Sequence, residues 1–134
     1  MEIIDLSQRQ IERLENALER YDISHISHKP NGRVSIGISS DGKLVGGLDA
    51  CMTAFKILYC STVFVDEKYR RKGYGRLLIE EMERRAKALG ANTVRLDTFD
   101  FQGKDFYIAM GYRVVGCYRN DEDNYSEYFF MKRI

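Results

Sequence analysis

Apolar residues recur along this chain at two different spacings, and the switch between them lays out the elements. Ile11, Leu14, Leu18 and Tyr21 recur at helical spacing behind a Ser7-to-Gln10 capping box, which predicts a first helix over about residues 8 to 21. Residues 22 to 31, with His25, His28, Pro30 and Asn31, are turn-forming and weakly periodic and read as a connecting loop. From Arg33 to Ser40 the period becomes two, through Val34, Ile36 and Ile38, and Asp41-Gly42 is a dipeptide suited to a type I′ hairpin turn. A second strand follows from Lys43 to about Ala54 and a third from Lys56 to Val65, all three antiparallel. The helical period returns after Gly75 through Leu78, Ile79, Met82, Ala86 and Leu89, and Gly90 supplies a left-handed stop.

The rest of the chain is shorter in its units. Asn92 to Thr98 reads as a strand, Lys104 to Met110 as a short helix closed by Gly111, and 112 to 119 and 125 to 133 as two strands around the polar loop Asn120 to Asn124. Strand, glycine-rich turn, helix and strand in succession imply a crossover to a parallel neighbour. The expected fold is therefore α/β (α+β): a mixed, mostly antiparallel twisted sheet of six to seven strands flanked by helices. No internal repeat or linker interrupts it, so residues 1–134 read as a single domain.

Charge changes this picture in one place. The formal net charge is only +1, which leaves no broad footprint for nucleic acid or an anionic membrane. Yet Lys68, Arg70, Arg71, Lys72 and Arg76 crowd the segment that holds Gly73 and Gly75. A helix N-terminus presents unpaired N–H groups and about half a positive charge, and glycines keep side chains out of the way, so the segment suits phosphate. It is not a dinucleotide fingerprint, because Leu78 stands where the third glycine belongs, and no G-K-[ST] follows to make a P-loop.

The run Arg70-Arg71-Lys72-Gly73-Tyr74-Gly75 resembles motif A of the GCN5-related N-acetyltransferase (GNAT) family, whose [QR]-x-x-G-x-[GA] is met by Arg70, Gly73 and Gly75. The preceding Val63-Phe64-Val65, the helix closed by Gly90 and the F-Y-x-x-x-G-Y run at Phe106, Tyr107, Gly111 and Tyr112 occur in the family's order. Leu96 to Gln102 also looks like a subgroup of small bacterial members. The resemblance implies an acyl-CoA-dependent N-acetyltransferase that takes acetyl-CoA as donor and an amine as acceptor. Backbone N–H groups from Arg71 to Arg76, with Lys72, Gly73, Tyr74 and Gly75 between them, would hold the pyrophosphate while Arg70 shapes the turn. In the family the strand before the turn splays from its parallel neighbour, so Val63, Phe64 and Val65 would line the pantetheine arm. Gln102 and Tyr107 are counted with the cofactor contacts.

A primary alkylamine is deprotonated about once in a few thousand molecules at pH 7, so freeing its lone pair costs roughly 4 to 5 kcal/mol. Family members often place a Glu or His on the strand before the turn, where this chain has Tyr59 and Ser61. Proton removal then falls to water ordered by Tyr59 and Ser61, or to Asp97, whose burial would raise its pKa towards base work. Tyr107 holds the position that in many relatives protonates or hydrogen-bonds the leaving thiolate. Cys60 beside the pantetheine path raises an acyl-cysteine route, against which direct transfer is preferred.

Cys51, Cys60 and Cys117 form no C-x-x-C pair and read as reduced, buried thiols; His25 and His28 read as surface residues, and no metal is expected. Met1 to Asp5 has neither a basic nor an apolar leader region, and no run approaches 18 apolar residues, which predicts a cytoplasmic protein. Asp121, Glu122 and Asp123 read as a solvated hairpin tip, with steering of a cationic amine as the functional alternative. A noncatalytic acyl-CoA-binding or sensing module and a nucleic-acid binder are the competing functions. Homodimerisation through the final strands is a family-level expectation.

Overall fold

The computed structural model describes residues 1–26 and 31–134. Helix α1 (Gln8–Ile23) begins at the anticipated capping box, with the Ser7 hydroxyl accepting from the Gln10 N–H and the Gln10 side chain accepting from the Ser7 N–H. His28 and Pro30 of the expected loop lie outside the described residues. Strands β1 (Arg33–Ser40) and β2 (Lys43–Met52) form the hairpin, and Asp41 and Gly42 at its turn both have positive φ, 51° and 76°, as a type I′ turn demands. Strand β2 stops at Met52 rather than Ala54, because the Thr53 N–H turns to the Ile57 carbonyl at 2.9 Å and Phe55 takes a left-handed φ of 59°.

Strand β3 (Ile57–Val65) leads through a 3₁₀ turn at Glu67–Tyr69 into α2 (Tyr74–Ala88). At its far end, Gly90 at φ 94° lets Ala91 N–H reach the Ala86 carbonyl and Gly90 N–H reach that of Lys87, the paired bonds of a Schellman motif. Strand β4 (Thr93–Phe99), short helix α3 (Lys104–Ala109), and strands β5 (Arg113–Asn120) and β6 (Tyr125–Arg133) complete the chain. The six strands lie in the order β1-β2-β3-β4-β6-β5, antiparallel throughout except for β3 beside β4.

Alternation decides what each face of the sheet does. Val34, Leu48, Ala50, Leu58, Cys60, Val94, Leu96 and Phe130 point to one side and are buried there. Helix α2 lays Leu78, Ile79, Met82 and Ala86 on that side, and α3 adds Tyr107, all in one core. Lys132 ties the two helices together, its ammonium 2.8 Å from Glu83 on α2 and 2.8 Å from the Met110 carbonyl at the end of α3. The intervening positions, among them Cys51, Ser61, Arg95 and Asp97, face the opposite way and are exposed. With α2 and α3 occupying the apolar face, α1 buries none of its residues.

Candidate active site

The parallel pairing of β3 with β4 lasts for three residues, Ile57 to Tyr59 against Thr93 to Arg95, and then ends. At that point β3 also carries a bulge: Asp49 faces Thr62 and Ala50 faces Cys60, so Ser61 is the extra residue. Past it, Thr62 to Val65 remain paired to β2 alone. The backbone edge towards β4 is thus open, a gap bounded by strand rather than by loop. Arg70 anchors the end of this strand, its Nε donating to the Val65 carbonyl at 2.8 Å and its guanidinium 5.4 Å from the centre of the Phe64 ring. Its expected part in shaping the turn therefore has a geometric form. The Val65 carbonyl, on the strand expected to line the pantetheine arm, is thus already engaged by Arg70.

The turn enters α2 through two left-handed residues, Arg71 at φ 62° and Gly73 at φ 82°. No side chain caps the helix, so the first N–H groups of α2 have no side-chain acceptor. A Cβ on Gly75 would stand 3.1 Å from the Phe106 ring, so glycine there lets α3 approach the mouth of α2. Among the described residues no carboxylate pairs with Lys68, Arg71 or Lys72, whereas Arg76 lies 3.6 Å from Glu80. Three cations and a set of unclaimed N–H donors therefore share one spot. Lys72 instead lies over Tyr69, whose ring stacks on Tyr74.

Two candidates far apart in sequence meet at the start of the gap. The Tyr59 hydroxyl donates to Asp97 Oδ2 at 3.0 Å, and the Arg95 guanidinium lies 4.3 Å from the centre of the Tyr59 ring. Burial and the bond to Asp97 push the Tyr59 phenol above its usual range, so it stays protonated at neutral pH and acts as donor. The expected burial of Asp97 is not found. It sits on the outward face of β4, because alternation sends its neighbours Leu96 and Thr98 to the core and Asp97 away from it. Ser61 is likewise exposed and donates to the Asp49 carbonyl at 3.3 Å.

On the other side of the sheet Tyr107 is buried at 8% exposure, packed edge-on to Phe106 and against Tyr112 and Phe130. Desolvation pushes its phenol well up, with the neighbouring Cys60 and Asp97 adding to the effect. The phenol therefore stays protonated and can donate a hydrogen bond, while burial makes it a weaker acid than a free tyrosine. Cys60, 4% exposed, is pushed up to about 12 by burial, so its thiol stays protonated and is no nucleophile at neutral pH. The other two cysteines are free but exposed, contrary to the expectation of buried thiols. Cys51 projects outward opposite Tyr59, and Cys117 lies on the edge strand β5.

Other candidates take part in local structure. Gln102 Oε1 accepts from the Phe99 N–H at 2.9 Å and the Thr98 hydroxyl at 3.2 Å, holding the turn between β4 and α3. Asp121 pairs with Arg119 at 3.1 Å, and Asp123 is bonded through its N–H to Asn120 at 2.9 Å, as in a hairpin tip. His25 bonds Ser24 and the Tyr21 carbonyl at the end of α1. Among the described residues no cluster of His, Cys, Asp and Glu could hold a metal, and no helix is long and apolar enough to cross a membrane.

Sequence reading missed two features of this region. Arg95 is one; it was legible in principle, since a crossover from Val65 to Thr93 puts Arg95 beside Tyr59. The second is the cluster in which Asp49 accepts from Arg33 and Ser35, which lowers its carboxyl to about 2. Nothing local in the sequence links residues that far apart.

The description of the Acetyltransferase (GNAT) family matches residues 1–112, and the chain belongs to that family. No curated protein matches the sequence. Among solved structures, an acetyltransferase from Bacillus cereus ATCC 14579 is 32% identical over 100% of this chain and 98% of its own, with a TM-score of 0.91. A candidate acetyltransferase from Agrobacterium tumefaciens is 23% identical over 100% and 98%, with a TM-score of 0.85. The PaiA N-acetyltransferase from Thermoplasma acidophilum, solved with coenzyme A, shares the fold at 20% identity over 96% and 80%, with a TM-score of 0.63.

Proposed function

We propose that this protein transfers an acetyl group from acetyl-CoA to a primary amine of a small molecule or peptide, by direct attack within a ternary complex. The observation that carries the reading is the opening of β3 from β4 just past Tyr59, with the uncapped, glycine-flanked N-terminus of α2 at the end of the open strand. A long, narrow ligand with a diphosphate at one end matches those two features together. The N–H groups of Arg71 to Arg76 hold the diphosphate, with Arg71 and Lys72 adding charge, and the open edge at Val63 to Val65 takes the amide-bearing arm. Acetyl-CoA supplies the activated acyl group.

The chain's residues then have separable tasks. Tyr59 and Asp97 form a donor–acceptor pair at the mouth of the gap, and Asp97 takes the amine proton directly or through water held by Tyr59 and Ser61. A strand N–H at the bulge polarises the thioester carbonyl. Tyr107 donates a hydrogen bond that stabilises the departing thiolate, which takes its proton from solvent, and the high pKa of Cys60 argues against an acyl-cysteine. We read residues 1–134 as one acetyltransferase domain, because β6, beyond residue 112, is an interior strand and brings Phe130 to the core. Three free thiols agree with a reducing, cytoplasmic setting.

One observation favours a noncatalytic acyl-CoA-binding module: positions 59 and 61 carry no carboxylate or imidazole, and Asp97 is exposed. Thiol release from acetyl-CoA with a broad panel of primary amines separates the readings. Turnover that falls on Asp97→Asn supports the enzyme, and tight acetyl-CoA binding with no turnover on any amine supports the sensor.

A further inference from the structure

The outward face of the sheet is sorted by charge across the gap. On one side Arg33 of β1 is spent on Asp49 of β2, its Nε 2.8 Å from the carboxylate. On the other side Arg95 of β4 and Arg113 of β5 both stand opposite Met131 of β6, and Arg133 lies two positions further along β6. Among the described residues no carboxylate pairs with any of these three arginines, although Asp97 is two residues from Arg95 on the same face. Arg133 bonds the neutral Thr93 hydroxyl at 3.4 Å. A single phenol holds Arg95 and Asp97 side by side: the guanidinium lies 4.3 Å from the centre of the Tyr59 ring, and the carboxylate accepts from the Tyr59 hydroxyl at 3.0 Å. Tyr59 and Arg95 are the last pair before β3 leaves β4, and Asp97 is the first outward side chain past them. Apolar surface adjoins both charges, since Met131 faces Arg95 and Phe129, 40% exposed, faces Asp97.

We propose that the acceptor is an α-amino acid with an apolar side chain, its carboxylate on the Arg95 guanidinium, its amine at Asp97 and its side chain over Met131 and Phe129. The inference rests on the acetyl-transfer reading of the gap and narrows it. An exposed guanidinium is a fork that matches a carboxylate, and charges that meet Arg95 and Asp97 against one ring must lie close together in the ligand. A polyamine or a lysine-rich peptide instead meets three arginines, with Asp97 and Glu127 as the outward carboxylates of β4 and β6. In the transfer the ammonium gives up two protons, through Asp97 to solvent; the C–N bond forms as the C–S bond breaks, and the thiolate takes one proton back from solvent.

The test measures acetylation of matched acceptors: L-phenylalanine, its amide and phenethylamine; L-leucine, its amide and isopentylamine; and glycine and L-aspartate. The expected kcat/KM for phenylalanine or leucine is at least about tenfold above its amide and its decarboxylated amine, and above glycine and aspartate. Arg95→Gln should raise KM for the acid about tenfold while leaving kinetics with the amide within about twofold, and Arg95→Lys should recover part of the loss. Arg113→Gln, beyond Met131, should change either by less than about threefold, because it acts through a screened field. Calorimetry with coenzyme A in place of acetyl-CoA reads the same preference without chemistry. The proposal is overturned, and acetyl transfer left standing, by turnover indifferent to the carboxylate, by an acid preference that survives Arg95→Gln, or by one that Arg113→Gln removes as fully. It is likewise overturned if glycine or aspartate outruns the apolar acids. Carboxylate-dependent binding that Arg95→Gln abolishes, with no amine acetylated, supports the amino-acid site and overturns acetyl transfer; neither binding nor turnover of any acceptor overturns both.

Discussion

Helices α1 and α2 are nearly equal in length, 16 and 15 residues, and both are amphipathic, yet they are finished in opposite ways. At the head of α1, Ser7 and Gln10 exchange hydrogen bonds, while none of its residues is buried. Helix α2 buries Leu78, Ile79, Met82 and Ala86 but starts on Gly73 with no side-chain cap. A helix without tertiary support must satisfy its first N–H groups itself, because each one paired lowers the cost of starting a helix. A helix held down by its core can leave those groups open. That freedom leaves the N–H groups of α2 available to the diphosphate proposed above, whereas those at the head of α1 are already engaged by its cap.

The sharpest way to break the contrast is to cap α2 as α1 is capped. Gly73→Asp puts a carboxylate among the open N–H groups and should weaken acetyl-CoA binding at least about 100-fold by calorimetry, since two charge-assisted bonds are worth about 1.5 to 3 kcal/mol each. The left-handed φ at this position adds a stability cost of about 1 kcal/mol, visible as a lower Tm. An unchanged Kd would remove α2 from the donor site. Next in size, Tyr107→Phe should lower kcat about 100-fold while leaving the acetyl-CoA Kd within about twofold, which separates chemistry at α3 from binding at α2. If kcat does not move, Tyr107 is a core aromatic and nothing more.

Arg71→Ala with Lys72→Ala should cost about tenfold in Kd and flatten its salt dependence, because exposed cations assist phosphate binding but are screened. A larger loss than that from Gly73→Asp would invert the assignment and make side chains, not backbone, the principal contacts. Smallest is Ser7→Ala, which should destabilise α1 by about 1 kcal/mol, seen as reduced helicity in the far ultraviolet, with no change in acetyl-CoA affinity.

Much of the fold was legible because its signals are short-range. The capping box at Ser7, the Asp41-Gly42 turn and the Gly90 stop each depend on backbone chemistry within a few residues, and each appears where it was expected. Strand ends moved by a residue or two, as at Met52, where one carbonyl farther along the chain captured the Thr53 N–H. The turn proposed as the donor site was legible as a structure for the same reason: glycines, cations and a helix start lie in one contiguous run. Asp97 failed as a buried base because a strand's period of two fixes that neighbours part company, but not which set meets the core.

By itself, then, the sequence determined the element order, the hairpin, the crossover and the turn at Arg70 to Gly75, all matters of local dihedral preference and period. Only the tertiary structure decided that β3 leaves β4 after Tyr59, that Tyr59 bonds Asp97 across 38 positions of chain, and that the apolar stripe of α1 stays uncovered. These depend on which surfaces compete for the one apolar face of the sheet. With α2 and α3 settled there, an amphipathic helix identical in pattern to a core helix is left outside, and no periodicity within its own residues records that outcome.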